Sequence, residues 1–294
     1  MLETATHIDR RARLLRGAAI ILIFLAIVAG NAWIFPWHKV LLWMQVITQG
    51  HISHESLEAI LYSMQEILTI CLCTATIMWL FGGGGAQAFE NLGLRRGIAR
   101  GVMVGIIATL PLPIIFAIWW HATFNADVAV QVGVFGLLSG AGEEILFRGF
   151  GFGLLYRKLR LGFWLSMILP TAAFARGHLY QVHGFRESLA IIALTGFGSV
   201  WFSWLYIRWD YNLWVPISVH VLMDAWWSIF NVSQTALAGH AANTARLLTI
   251  VLSVVLTLWH SGWDWRKAFL QIRPDESNSI PSFPTERQGP RSAG

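Results

Sequence analysis

The chain has 294 residues, of which 55% are hydrophobic and only 13% charged, about half the charged share of a soluble domain. Mean hydropathy is +0.56, which excludes a soluble enzyme and predicts an all-α polytopic membrane helix bundle of about eight transmembrane helices. The net charge of +5 is modest and clusters at the ends of apolar runs. The indicated partner is therefore a lipid bilayer, and nucleic acid is not.

Eight apolar runs are predicted in chain order, at roughly 17–35, 57–81, 101–120, 128–156, 161–178, 188–207, 213–232 and 245–262, each near the ~20 residues a span needs. The first is too long for a signal-peptide core and no small-residue cleavage site follows it, so it reads as a span. Cys71 and Cys73 fall in the second run, two positions apart on a helix, where they point to different faces and do not bridge. Gly82 to Gly85 starts a flexible loop. It has neither the lysine nor the strand context of a phosphate cradle. Glycine pairs at 101/105, 136/140 and 149/153 are small-residue spacings that let membrane helices approach closely. Pro170 lies inside the fifth run, where neighbouring helices can satisfy the freed carbonyl. The fourth run is the longest, and a short interfacial turn is expected at its basic end. From Pro274 the chain is rich in Pro, Ser and charge and reads as a disordered tail.

Basic residues alternate with the runs. Arg10, Arg11, Arg13 and Arg16 precede the first; Arg95, Arg96 and Arg100 follow the second; Arg157, Lys158 and Arg160 follow the fourth. Arg208 follows the sixth, and Arg266, Lys267 and Arg273 follow the eighth. The opposite loops hold only Lys39, Arg176, Arg186 and Arg246. The positive-inside rule then puts both termini in the cytoplasm, the membrane being the plasma (inner) membrane.

The chemistry concentrates in the second half. Glu143 and Glu144 sit near the middle of the fourth run, where an ionisable group costs at least ~2.5 kcal/mol and defaults to a functional reading. Glu144 and Arg148 are i and i+4, share a helix face and can pair. Glu143 lies about 100° around the helix, free to face something else. His220 and Asp224 are again i and i+4, so a carboxylate can fix the imidazole. His178 ends the fifth run. Glu143 with His178 suits activation of a water, and His220 suits an oxyanion donor. The same Glu143, His178 and His220 are also the ligand types of a catalytic zinc site, although no HExxH is present; the metal-free and zinc routes both stay open. Each residue also has a bland reading: a Glu–Arg tie between helices, or a hydrogen-bonded core histidine. What outweighs these is polar residues at three separate places in three runs. Counting ~1.5 Å per residue from the basic ends puts Glu143 ~20 Å, His178 ~25 Å and His220 ~12 Å deep, a mismatch that tilt or a later start of the fifth helix would remove.

Three segments carry a family resemblance. Glu143-Glu144-Ile145-Leu146-Phe147-Arg148-Gly149 resembles the EExxxR motif of the CPBP (CAAX protease and bacteriocin-processing, or Abi) intramembrane proteases. Phe174-Ala175-Arg176-Gly177-His178 is similar to their FxxxH motif. His220-Val221-Leu222-Met223-Asp224 is similar to HxxxN, with Asp224 in place of the usual Asn. The stretch from Tyr206 through Leu213 to Ile217 has the family's flavour too. The resemblance implies an intramembrane (metallo)endopeptidase with its site sunk in a membrane cavity. Such proteases act on prenylated CAAX proteins or process bacteriocins. It also implies Glu143 as base, His178 as its partner on water, His220 and Asp224 on the oxyanion side, and Glu144 and Arg148 in support. An ionised Asp224 cannot donate to an oxyanion as Asn does; it would be protonated, bind metal or act through His220. The expected organisation is a tail (1–16), three N-terminal spans (17–127), a catalytic core (128–232), a last span (233–263) and a cytoplasmic tail (264–294). The expected substrate is a membrane-associated, prenylated or leader-bearing peptide. The alternative is a non-catalytic binding or bacteriocin-immunity module of the same fold. A proton-relay transporter is less supported, because no inverted repeat is visible.

Overall fold

The computed structural model describes residues 2–31, 37–49 and 51–269, and all regular structure among them is helical. The expected tail from Pro274 lies outside the described residues. In chain order the helices are α1 (Leu2–Ala29), α2 (Trp37–Ile47), α3 (His54–Phe81), α4 (Gly85–Leu92) and α5 (Ile98–Trp119). They continue with α6 (Ala126–Lys158), α7 (Phe163–Gly177), α8 (Phe185–Arg208), α9 (Trp214–Ile229), α10 (His240–His260) and α11 (Trp265–Phe269). Each of the eight apolar runs has become a helix. Six, within α1, α3, α5, α6, α8 and α10, are long and apolar enough to cross a bilayer, so the protein is an integral membrane protein. The other two, α7 and α9, have 15 and 16 residues. At ~1.5 Å per residue they span about 22–24 Å, short of a hydrocarbon core of about 30 Å.

Hydrogen bonds sort the connections into two ends. At one end Trp214 Nε1 donates to the Leu94 carbonyl at 2.8 Å and Asn212 Nδ2 to that of Gly97 at 2.9 Å. Arg157 Nη1 donates there to the Asn91 carbonyl and Trp204 Nε1 to the Ala268 carbonyl. At the other end the Thr123 amide donates to the Ile229 carbonyl at 2.8 Å and the Ala236 amide to Gln181 Oε1 at 2.9 Å. The short α7 and α9 therefore run between the same two ends as the long helices. Arg95, Arg96, Arg100, Arg157, Lys158, Arg208 and Lys267 gather at the first end, called the basic end below.

Close approach is built from small residues. A Cβ on Gly101 or Gly105 would fall 2.4 Å from the Cβ of Trp214 or Ser218, so this pair seats α5 against α9 as its spacing predicts. Gly93, at φ 88°, ends α4 in the left-handed region, and a Cβ there would lie 2.1 Å from the Tyr211 carbonyl; only glycine meets both demands. Cys71 is exposed and Cys73 buried, both as free thiols, on different faces as expected.

Three expectations need correction. The helices α2, α4 and α11 were not foreseen, being too short or too polar to register as apolar runs. Residues 157 and 158 do not form a solvated loop or interfacial turn. They continue α6 and are buried, with Arg157 donating to Tyr206 Oη at 3.0 Å and lying 4.3 Å from the Tyr211 ring centroid. Finally, α6 is not a plain α-helix. α-Helical turns at Ala126–Val130 and Ser139–Glu143 alternate with π-helical stretches at Gln131–Leu138, Glu144–Phe152 and Leu154–Lys158. π-Helical segments concentrate at functional sites, and here one begins at Glu144.

Candidate active site

Their offset of about 100° around α6 sends the adjacent Glu143 and Glu144 carboxylates into different surroundings. Glu144 is fully buried. Its Oε1 accepts from Arg148 Nη1 at 2.9 Å and from His220 Nδ1 at 2.8 Å. Arg148, also fully buried, stacks its guanidinium 4.3 Å from the Phe174 ring centroid and 5.2 Å from that of Phe202. Its Nε and Nη2 have no hydrogen-bond acceptor, and the ring faces stand in through cation–π attraction. Carboxylate and guanidinium are thus sealed, and the imidazole, bonded to the carboxylate through Nδ1, joins α6 to α9.

Glu143 faces the other way. Its side chain keeps 26% exposure and lines a cavity of about 540 Å³ shared with Tyr62, Ser139, His178, His220 and Asp224. His220 presents Nε2 to this cavity, 3.5 Å from Asp224 Oδ2 and 3.8 Å from Glu143 Oε2. His178 closes the end of α7; its Nδ1 bonds to the Phe174 carbonyl at 2.9 Å, so its Nε2 is the nitrogen left for the cavity. Both histidines are therefore oriented through Nδ1, which leaves Nε2 toward the cavity. The cavity brings Glu143, His178, His220 and Asp224 together from α6, α7 and α9 despite the depth mismatch counted along the sequence. α7 starts at Phe163, two residues later than the apolar run, which takes about 3 Å off the counted depth of His178. One pairing differs from expectation: Glu144 holds the His220 ring through Nδ1, and Asp224 is the looser neighbour of Nε2.

The zinc ligand types, Glu143, His178 and His220, all line this cavity. Among the described residues no group of three His, Cys, Asp or Glu stands at metal-binding spacing.

Several cavity residues escaped the sequence reading. Glu66 on α3 is buried, with 5% exposure, and opens on a smaller cavity that it shares with Tyr62, Asn31 and Glu143. It lies so close to α6 that a Cβ on Gly142 would fall 2.0 Å from its Oε2. A carboxylate inside an apolar run was its signal, by the rule that singles out Glu143. Tyr62, whose Oη is 3.2 Å from Ser139 Oγ, gave no such signal. Arg246 and Trp227 also line the main cavity. They read as a loop charge and a packing aromatic because nothing in the sequence brings Arg246 of α10 over the Trp227 ring of α9.

A helical membrane bundle with carboxylates and histidines converging on a polar cavity fits the class of membrane-embedded hydrolases. Within it, residues 126–226 match the family model of the Rce1-like type II CAAX prenyl endopeptidases. The match spans roughly a third of the chain, holds all seven motif residues and agrees with the CPBP resemblance. That family supports an intramembrane endopeptidase in general terms. No curated protein and no solved structure matches the chain.

Proposed function

We propose that the chain hydrolyses a peptide bond of a membrane-associated substrate with a water activated by Glu143. The observation that carries this reading is the division of labour between neighbours: Glu144 is sealed, with Oε1 holding two donors, whereas Glu143 opens on a polar cavity beside two histidines. Water held between Glu143 and His178 Nε2 gives a proton to Glu143 as its oxygen attacks the scissile carbonyl. His220, held by Glu144, is the oxyanion donor; as an imidazolium it offers Nε2–H to the oxygen that gains charge. Asp224, 3.5 Å from that nitrogen, favours the imidazolium and so acts through His220. Glu143 then returns its proton to the leaving amine as the C–N bond breaks. A zinc ion would draw on Glu143 and the two Nε2 atoms. The side chains do not stand at metal-ligand spacing, and no step here passes through a metal.

The cavity is built from the end away from the basic residues. Tyr62, Phe135, Tyr180, Gln181 and Ser233 to Ala236 form its walls. With the basic end in the cytoplasm, as the positive-inside rule directs, both termini are cytoplasmic and the cavity opens toward the outer face of a plasma (inner) membrane. An adjoining apolar cavity of about 140 Å³, lined by Leu194, Phe197, Trp201, Phe202 and Ile250, shares His178, His220 and Asp224 with the main one. It suits an apolar segment or lipid tail of the substrate, such as a prenyl group or a leader peptide. The test is proteolysis of a labelled membrane-anchored peptide by the purified protein in lipid nanodiscs, run beside Glu143→Gln. Cleavage lost in the variant supports the reading. Its absence from the wild type across prenylated and leader-type substrates would favour a non-catalytic module.

A further inference from the structure

The mechanism makes no use of Glu66, although this buried carboxyl group of α3 shares a cavity with Glu143. That cavity, of about 180 Å³, is distinct from the one assigned to substrate and is walled by residues of α1, α3, α6 and α7. Only Tyr62 and Glu143 line both spaces. Tyr62 is tied to α6 through its 3.2 Å contact with Ser139 Oγ. The partition between the two cavities is therefore the tyrosine and Glu143 itself.

The smaller cavity is rich in polar atoms left over by the protein. Among the described residues the Glu66 carboxyl group has no hydrogen-bond or ion-pair partner, and neither of its oxygens is sealed in packing, so both open on the cavity. No Lys, Arg or His lines that space. Asn31 Nδ2 donates to Thr69 Oγ1 at 3.0 Å, which leaves Asn31 Oδ1 and the Thr69 hydroxyl hydrogen to face it. The Gln65 amide group, also in the wall, makes no side-chain hydrogen bond among the described residues. A buried polar group without a partner costs about 1–3 kcal/mol, more if charged. Ordered water is the usual partner in such a place. The volume of about 180 Å³ is several times the ~30 Å³ that one water takes in the liquid.

Hydrolysis needs one water on Glu143 at the moment when a peptide fills the main cavity and displaces the solvent there. The smaller cavity reaches Glu143 from outside the substrate space. We infer that Glu66 anchors a cluster of water in the smaller cavity, and that this cluster supplies the attacking water to Glu143 while substrate occupies the larger one. Glu66 is thus a positioning residue, which holds water and touches neither the substrate nor the reacting carbonyl. The supply role rests on the endopeptidase reading of Glu143.

The full chain in lipid nanodiscs is compared as wild type, Glu66→Leu, Glu66→Gln and Asn31→Leu. The first readout is hydroxyl-radical footprinting by X-ray radiolysis, which marks side chains that touch bound water. Leu146 and Phe147 line the cavity and are buried. Phe150, on the same helix and fully buried away from it, is the control. Wild type should be marked at Leu146 and Phe147 well above Phe150. The marking should drop to the control level in Glu66→Leu and persist in Glu66→Gln, whose amide still anchors water. The second readout is steady-state cleavage. In Glu66→Leu kcat should fall about tenfold, ~1.4 kcal/mol, at unchanged KM, and Glu66→Gln should recover most of the loss. A merely structural role would not separate kcat from KM in this way. Asn31→Leu fills the same cavity from another wall and should repeat the Glu66→Leu pattern, which keeps the test open if that variant fails to fold. Marking of the wild type no greater than at Phe150 overturns the water cluster. Wild-type kcat in Glu66→Leu, where Glu143→Gln is inactive, overturns the supply role and leaves the endopeptidase reading intact. A Glu66→Gln as slow as Glu66→Leu overturns it as well, since the carboxyl group would then act through its proton. Hydrolysis absent from the wild type defeats the endopeptidase reading and the supply role with it, and the footprint alone then decides the water cluster.

Discussion

One residue separates the two halves of this site. Around Glu144 the carboxylate and the Arg148 guanidinium are fully buried, and two strong donors converge on one carboxylate oxygen. Around Glu143 the side chains line a cavity, and its own carboxylate lies 3.8 Å from His220 Nε2, longer than a hydrogen bond. The sealed half costs desolvation and returns rigidity; it fixes a histidine. The open half leaves a carboxylate and two imidazole nitrogens short of partners, the state needed by groups that are to bind water and substrate. The two halves should therefore respond oppositely to substitution, one in stability and the other in turnover.

The largest effect is expected in the sealed half. Glu144→Gln strands the Arg148 guanidinium in a buried site, and breaking such a pair costs about 3–5 kcal/mol. Denaturant titration of the purified protein should show a loss of that order. A loss below about 1 kcal/mol would mean that the cluster is not a structural unit. Pairing Glu144→Gln with Arg148→Met should recover much of the loss, since replacing both charges is far milder than removing one.

At the boundary, Asp224→Asn keeps the shape and removes a charge 3.5 Å from His220 Nε2. The expected outcome is a well-folded protein whose kcat falls by about tenfold or less, ~1.4 kcal/mol. An abolished activity would give Asp224 a role of its own rather than one through His220. In the open half, Tyr62→Phe removes one hydrogen bond to Ser139 Oγ and should cost only about 0.5–1.5 kcal/mol of stability. The smallest effect is expected from metal removal. Exhaustive chelation should leave cleavage unchanged, because the mechanism derives every step from side chains. Stoichiometric zinc lost together with activity in His178→Ala and His220→Ala would establish the metal route instead.

Much of this was legible in the sequence, for identifiable reasons. Apolar runs report burial in lipid directly, so the eight helices and the division of basic residues between two ends could be read from composition alone. The motif residues were legible because charge in an apolar run is conspicuous, and i,i+4 spacing foretells the Glu144–Arg148 pair even where the helix turns π. What escaped was tertiary. Glu144 holding His220 depends on α6 meeting α9, and Arg246 belongs to the cavity only because α10 packs beside it. The alternation of α- and π-helix along α6 has no compositional mark. Helices α2, α4 and α11 are too short or too polar to register as apolar runs. Glu66 was the avoidable omission, being the same kind of buried carboxylate as Glu143.

The division between the two glutamates is tested most directly by a cleavage assay on Glu143→Gln, with thermal unfolding measured on the same preparation. The amide keeps the size and the hydrogen-bonding reach of the side chain and loses only the ability to take a proton. The expected result is a midpoint within a few degrees of wild type and no detectable product. Wild-type turnover by Glu143→Gln would contradict the account, because the water would then have some other base.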